Sequence, residues 1–158
     1  MQLTAGPMSF LSPDASRKGR DIFAHGVQRK NELVRFDSLS KQFVPYLSGM
    51  SAEGVAFSKD GRWITYVAIP QGNLWRSKLD GSEPLQLSFS PLQVVSPRWS
   101  PDGTHIAFMG RLPGKLWQIY VVSAQGGTPQ QVVSDEYNEG EPDWGPTGKN
   151  SSSASFLR

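Results

Sequence analysis

Short apolar runs alternate along this chain with clusters of Gly, Pro, Asp and Ser. Two of the runs, Ile106-Ala107-Phe108-Met109 and Ile119-Tyr120-Val121-Val122, are continuous and do not alternate with polar residues. A strand that alternates has one wet face, whereas a continuous run reads as a strand covered on both. The pattern therefore predicts strands over Pro97–Ser100, His105–Met109, Leu116–Val122 and Gln130–Ser134. Ser100-Pro101-Asp102-Gly103 joins the first two. Pro101 presets φ at the first turn position and Asp102 can bond nearby amides. Gly103 supplies the positive φ of a type I turn with a G1 bulge.

The same pattern occurs more than once. VAFSKDGRWITYVA matches PRWSPDGTHIAFMG 42 residues later, and Gly19, Gly61 and Gly103 are spaced by 42 and 42, with Gly148 following after 45. The position four residues before each glycine holds Ala15, Phe57, Trp99 and Trp144. NLWRSKLDGSEPLQL aligns on QIYVVSAQGGTPQQV at an offset of 45, which places the three extra residues in the loop GRLPGK. An insertion confined to a loop is what structural repeats tolerate. QLTAGPMSFLSPDASRKG aligns without a gap on QLSFSPLQVVSPRWSPDG, and PDWGPTGKN opens a further unit that runs into SSSASFLR. The chain is thus expected to begin and end in mid-unit.

Four short strands in a period of 40–45 residues, buried on both faces, point to a β-propeller. RWSPDGTHIAFMG followed by QIYVVSAQGGTP closely resembles the TolB-like, WD40-like propeller repeat, marked by an aromatic residue ahead of Ser-Pro-Asp-Gly. The resemblance covers about residues 2–149 and is strongest at 97–134. It is weakest in the first unit, where Ala15, Arg17 and Lys18 depart from the pattern. The positions that carry the repeat are Phe57, Asp60, Gly61, Trp99, Ser100, Pro101, Asp102, Gly103 and Trp144.

The expected fold is all-β, an open arc of about three β-propeller blades of four antiparallel strands, with partial blades at both ends. The boundaries are a partial blade over 1–11, blades over about 12–53, 54–95 and 96–140, and a partial blade over about 141–149. Residues 150–158 read as a disordered or truncated tail. Repeats of this family occur in the periplasmic protein TolB, in the propellers of prolyl-oligopeptidase-like peptidases and tricorn proteases, and on signalling proteins carrying winged-helix or kinase domains. The resemblance implies a non-enzymatic binding or scaffold module, with a protein or small-ligand partner at the loops or channel and a periplasmic or extracytoplasmic setting. Its alternatives are the substrate-gating propeller of a serine peptidase and the periplasmic sensor propeller of a winged-helix or kinase protein.

Composition adds constraints. Hydrophobic residues make up 37% of 158, enough for an ordinary core, and no apolar run approaches the roughly 20 residues that cross a bilayer. MQLTAGPMSFLSPD lacks the basic start and apolar stretch of a signal peptide. The net charge of +2 is scattered, unlike a nucleic-acid footprint. The absence of cysteine excludes disulfides and thiolate metal sites.

The remaining chemical candidates have plain structural readings. GRLPGK has one residue too few between its glycines for a P-loop, and Leu116 stands where Ser or Thr is needed. Ser51, in GMSAEG, lacks the strand-to-helix context of a nucleophile elbow. His25 and His105 lie at the ends of second strands in different units, with no supporting ligands. Asn150 opens an Asn-Ser-Ser glycosylation pattern of low specificity. Asp135, Glu136, Glu139, Glu141 and Asp143 concentrate negative charge between units; they could meet a hard cation but read as a solvated loop without regular ligand spacing. No catalytic, cofactor or metal residue emerges, and Trp99 and Trp144 are expected to pack between blades. The remaining partner expectation is the rest of the propeller, or self-association through uncovered end blades.

Overall fold

The computed structural model describes residues 9–17, 21–27, 31–132 and 140–145. Several sequence landmarks lie outside the described residues: Lys18, Gly19, Asp135, Glu136, Glu139, Gly148, Asn150 and the 150–158 tail. The chain divides into two compact units, Met1–Lys30 and Asn31–Arg158.

In the first unit, β1 (Ser9–Ala15) pairs antiparallel with β2 (Ile22–Val27), Phe10 opposite Gly26 and Ala15 opposite Ile22. Ile22 and Phe23 are exposed.

The second unit opens with a hairpin of β3 (Val34–Asp37) and β4 (Gln42–Pro45), in which Phe36 faces Phe43 edge to ring at 5.4 Å. The Asp37 carboxylate accepts the amides of Leu39 and Ser40, which closes the turn. The strands of the 12–53 stretch thus pair as two two-stranded sheets, β1 with β2 and β3 with β4.

Two four-stranded antiparallel sheets follow, each a simple meander in chain order. One comprises β5 (Ala52–Phe57), β6 (Trp63–Ala68), β7 (Asn73–Lys78) and β8 (Leu85–Gln86). The other comprises β9 (Gln93–Trp99), β10 (His105–Arg111), β11 (Gln118–Ser123) and β12 (Gln130–Gln131). These are the all-β blades that the repeat predicts. Their middle strands are the most deeply buried: Ile64, Thr65 and Val67 in β6 and Ile106, Ala107 and Phe108 in β10 are wholly out of water.

The two blades pack face to face, β9 lying against β5, β6 and β7. Val67, Leu74 and Leu87 meet Val94, Trp99, Ile106, Phe108 and Val122 in one core. Full burial of each large aliphatic or aromatic side chain contributes about 1.5–3 kcal/mol, so this shared face holds the pair together. Phe108 stacks on Tyr120 at 5.8 Å, and Gly110 leaves the room that ring needs: a Cβ there would stand 2.6 Å from it.

Strand bounds differ from the sequence reading in an instructive way. β9 begins at Gln93, four residues before the predicted start, because a bulge lets it bend and keep pairing. Its bulged residue, Ser96, has φ +52; Gly54 has φ +60 and Ser12 φ +50, and each lies at a register shift of the first strand in its sheet. These residues are 42 apart in sequence, so the bulge belongs to the repeat. β11 begins at Gln118, two residues late. The preceding Trp117 packs its ring beneath the Arg111 guanidinium at 4.5 Å and leaves the ladder.

Candidate functional site

Asp60 and Asp102 organise two turns that share one set of hydrogen bonds. In each, a serine two residues earlier donates its hydroxyl to the carboxylate at 2.6 Å, Ser58 to Asp60 and Ser100 to Asp102. The same serine oxygens accept the amides of Trp63 and His105, at 3.0 and 2.9 Å. The carboxylates also accept the amides of Arg62 and Thr104, at 3.1 and 3.0 Å. Gly61 and Gly103, with φ +67 and +71, donate to the carbonyls of Ser58 and Ser100, both at 2.9 Å. A Cβ on either glycine would meet nothing within 4 Å, so backbone conformation is what these positions require.

Hydrogen bonding to the ionised form pulls both carboxyls down to about 2. The serine hydroxyls are the main cause, followed by the Arg62 and Thr104 amides. The two turns face one cleft of about 350 Å³, lined also by Lys59, Arg62, Trp63 and Gln125. Two cations and two anions around one opening suit a polar, zwitterionic or peptide-like surface better than an apolar ligand.

The tryptophans do the joining. Trp99, 9% exposed, donates its indole N–H to the Ala56 carbonyl of the preceding blade at 3.3 Å. Trp144 does the same to the Arg98 carbonyl at 3.1 Å. In both cases the acceptor immediately precedes the aromatic position of the neighbouring unit. Phe57 occupies that position in β5, has no N–H to donate, and is 56% exposed.

Arg76 is a further tie that the sequence reading missed, because β7 mixes polar and apolar residues and a second cation, Lys78, follows two positions later. Its guanidinium stacks on Trp63 at 4.1 Å, donates from Nε to the Ala124 carbonyl, and reaches Gln125 Oε1 at 3.4 Å. Desolvation lowers its pKa, and Nη1 is buried without a partner among the described residues.

Other candidates resolve into local structure. Ser51 Oγ accepts the Asn31 amide at 3.1 Å. His25 lies exposed on β2, and His105 Nδ1 sits 2.7 Å from Thr104 Oγ1. Lys115 of GRLPGK donates its amide to Leu112 within the loop from β10 to β11. Glu141 pairs with Arg98 at 3.3 Å, and the Asp143 carboxylate accepts the Trp144 amide at 2.8 Å. Among the described residues, no group of three or more His, Cys, Asp or Glu is placed to hold a metal ion. Nor is any described helix long and apolar enough to cross a membrane.

Paired four-stranded meanders, each carrying the same turn, stacked face to face and tied across by Trp99 and Arg76, define β-propeller blades. The chain is similar to TolB-like propellers in both sequence and fold. Over 58 residues, 37% of this chain, it is 41% identical to the Tol-Pal system protein TolB of Syntrophus aciditrophicus. Over 79 residues, 49% of the chain, it is 33% identical to the uncharacterized peptidase YuxL of Bacillus subtilis. The matched segments span only 13% and 12% of those relatives. TolB from Acinetobacter baumannii superposes over 90% of this chain and 36% of its own, with TM-score 0.56 at 19% identity. The β-propeller domain of Cps50 (Swd1) from Myceliophteria thermophila superposes over 89% of this chain and 46% of its own, with TM-score 0.54 at 13% identity. No family model matches the chain.

Proposed function

We propose that these blades form a non-enzymatic binding module that meets a protein or small-ligand partner at the turn end of the propeller. One observation carries this reading: adjacent blades present the same serine–aspartate turn to one cleft, bordered by Lys59 and Arg62. Rigid turns displaying mixed charge at the mouth of a repeat array offer orientation and selectivity without any reactive group. The likeness to TolB supports a periplasmic or extracytoplasmic setting for such a module.

A photo-crosslinking residue placed at Arg62 in the native host tests it, with the exposed Leu39 as control. A discrete adduct at 62, absent at 39 and lost when Lys59 and Asp102 are both neutralised, supports the reading. Equal labelling at both positions contradicts it.

The second reading, a substrate-gating propeller attached to a serine peptidase, draws on the 33% identity to YuxL. It assigns the cleft to peptide entry and the chemistry to residues outside this chain. Under either reading, the chain alone should neither turn over peptide esters nor react with a fluorophosphonate probe. Stoichiometric labelling of Ser51 or any other serine would overturn both.

A further inference from the structure

We propose that the turn cleft takes a carboxylate, and that Arg76 receives it once the Gln125 side chain swings aside. The inference names the chemistry of the cleft's partner and rests on the binding role given to that cleft. Trp63 and Gln125 both line the opening. The Arg76 guanidinium touches each of them, stacking on the Trp63 ring at 4.1 Å and donating from Nη2 to Gln125 Oε1 at 3.4 Å. Arg76 therefore stands directly behind one wall of the cleft.

Arg76 is only 8% exposed. Charges this deeply buried are ordinarily paired, yet no ion pair holds Arg76 among the described residues. The pairs there join Arg62 to Asp60, Lys78 to Glu83 and Arg98 to Glu141. Nε is taken up by the Ala124 carbonyl, while Nη1 is buried without an acceptor among the described residues. A buried donor left open is costly, so an incoming acceptor gains more at this nitrogen than at an exposed cation.

Gln125 is the movable part. The residue is exposed, and its bond to Arg76 is longer than an ordinary N–H···O bond. A carboxylate in its place brings full negative charge and a second oxygen, so that it can span Nη1 and Nη2 as a fork. The cleft's own carboxylates are committed elsewhere. Asp60 is held by Ser58 and Arg62, and Asp102 by Ser100 and Thr104, each within its own turn. With Arg76 behind the wall, Lys59, Arg62 and Arg76 outnumber Asp60 and Asp102, and the cleft favours an anion.

Acidic side chains and peptide C-termini share this chemistry, and three probe peptides separate them. One is a capped tripeptide ending in a glutamate amide, one a capped trialanine with a free C-terminal carboxylate, and one a capped tripeptide ending in a glutamine amide. In an NMR titration of the full chain, at least one carboxylate peptide should bind at least about tenfold more tightly than the glutamine peptide and shift the Arg76 Nε–H resonance. Whichever does so names the source. Gln125→Glu supplies Arg76 with a carboxylate from within the chain and should weaken that binding at least about tenfold. Lys59→Gln removes the same unit of charge from an exposed position and should cost less than about threefold. Equal losses in the two variants, equal binding of the three peptides, or no binding at all overturns the proposal.

The crosslink at Arg62 tells this failure from failure of the binding role. An adduct that persists undiminished in Gln125→Glu means that the cleft holds its partner without Arg76, so the carboxylate proposal falls and the binding role stands. Equal labelling at 62 and 39 overturns the binding role itself, whatever the peptides do.

Discussion

The indole nitrogen of Trp99 lies 3.3 Å from the carbonyl oxygen of Ala56, 43 residues earlier in the chain. The bond crosses from one blade to the next at a buried position and lies beside the shared apolar core. Replacing Trp99 with Phe keeps most of the apolar contact and removes the donor. The expected cost is about 1 kcal/mol. Trp144→Phe removes a more exposed bond and should change stability by less than half as much. Thermal melts of the two variants check both values.

The bulges make a sharper prediction than the turns. Gly103→Val strains a left-handed position in open space, with an expected cost of about 1–2 kcal/mol. Gly54→Val adds a collision to the same strain, because its Cβ would stand 3.0 Å from Pro97 Cδ in the neighbouring blade. Gly54→Val should therefore be the more damaging substitution. Denaturant unfolding ranks them, and the reverse order would mean that the two strands do not meet at this bulge.

Asp60 and Asp102 predict a specific acid response. Both carboxyls lie at about 2 in the folded chain, below the ordinary unfolded value near 3.9. Their contribution is complete above the unfolded value and is lost as pH falls through about 4 towards 2. Stability should fall over that window, and the fall should be shallower in a chain carrying Asp60→Asn and Asp102→Asn. Melting midpoints at pH 6, 4 and 2.5 test this, and identical slopes in the two chains would contradict it.

Sequence and structure agree most closely where a residue type answers one local demand. Gly103 announces its turn because only a positive φ needs glycine there, and Ile106 to Met109 announces a doubly covered strand. The bulges were illegible at Ser12 and Ser96, since serine is an ordinary strand residue and only Gly54 hints at the left-handed backbone. The cleft between the turns was hidden too, because Asp60 and Asp102 converge only once the blades stack. Arg76 does not stand out among the polar residues of β7, and its purpose depends on Trp63 and Ala124, which sequence spacing does not bring together.

The central claim is that the blades of β5–β8 and β9–β12 form one cooperative body through their shared face and the Trp99 bond. Native-state hydrogen exchange in the wild type and in Trp99→Phe tests it most directly. In the wild type, amides of β6, β7, β10 and β11 should share one high protection level. In the variant, all four strands should lose protection together, by a factor of about five, as a loss of about 1 kcal/mol requires. Loss confined to β9–β12, with β6 and β7 unchanged, would show that the blades open independently and would contradict the account.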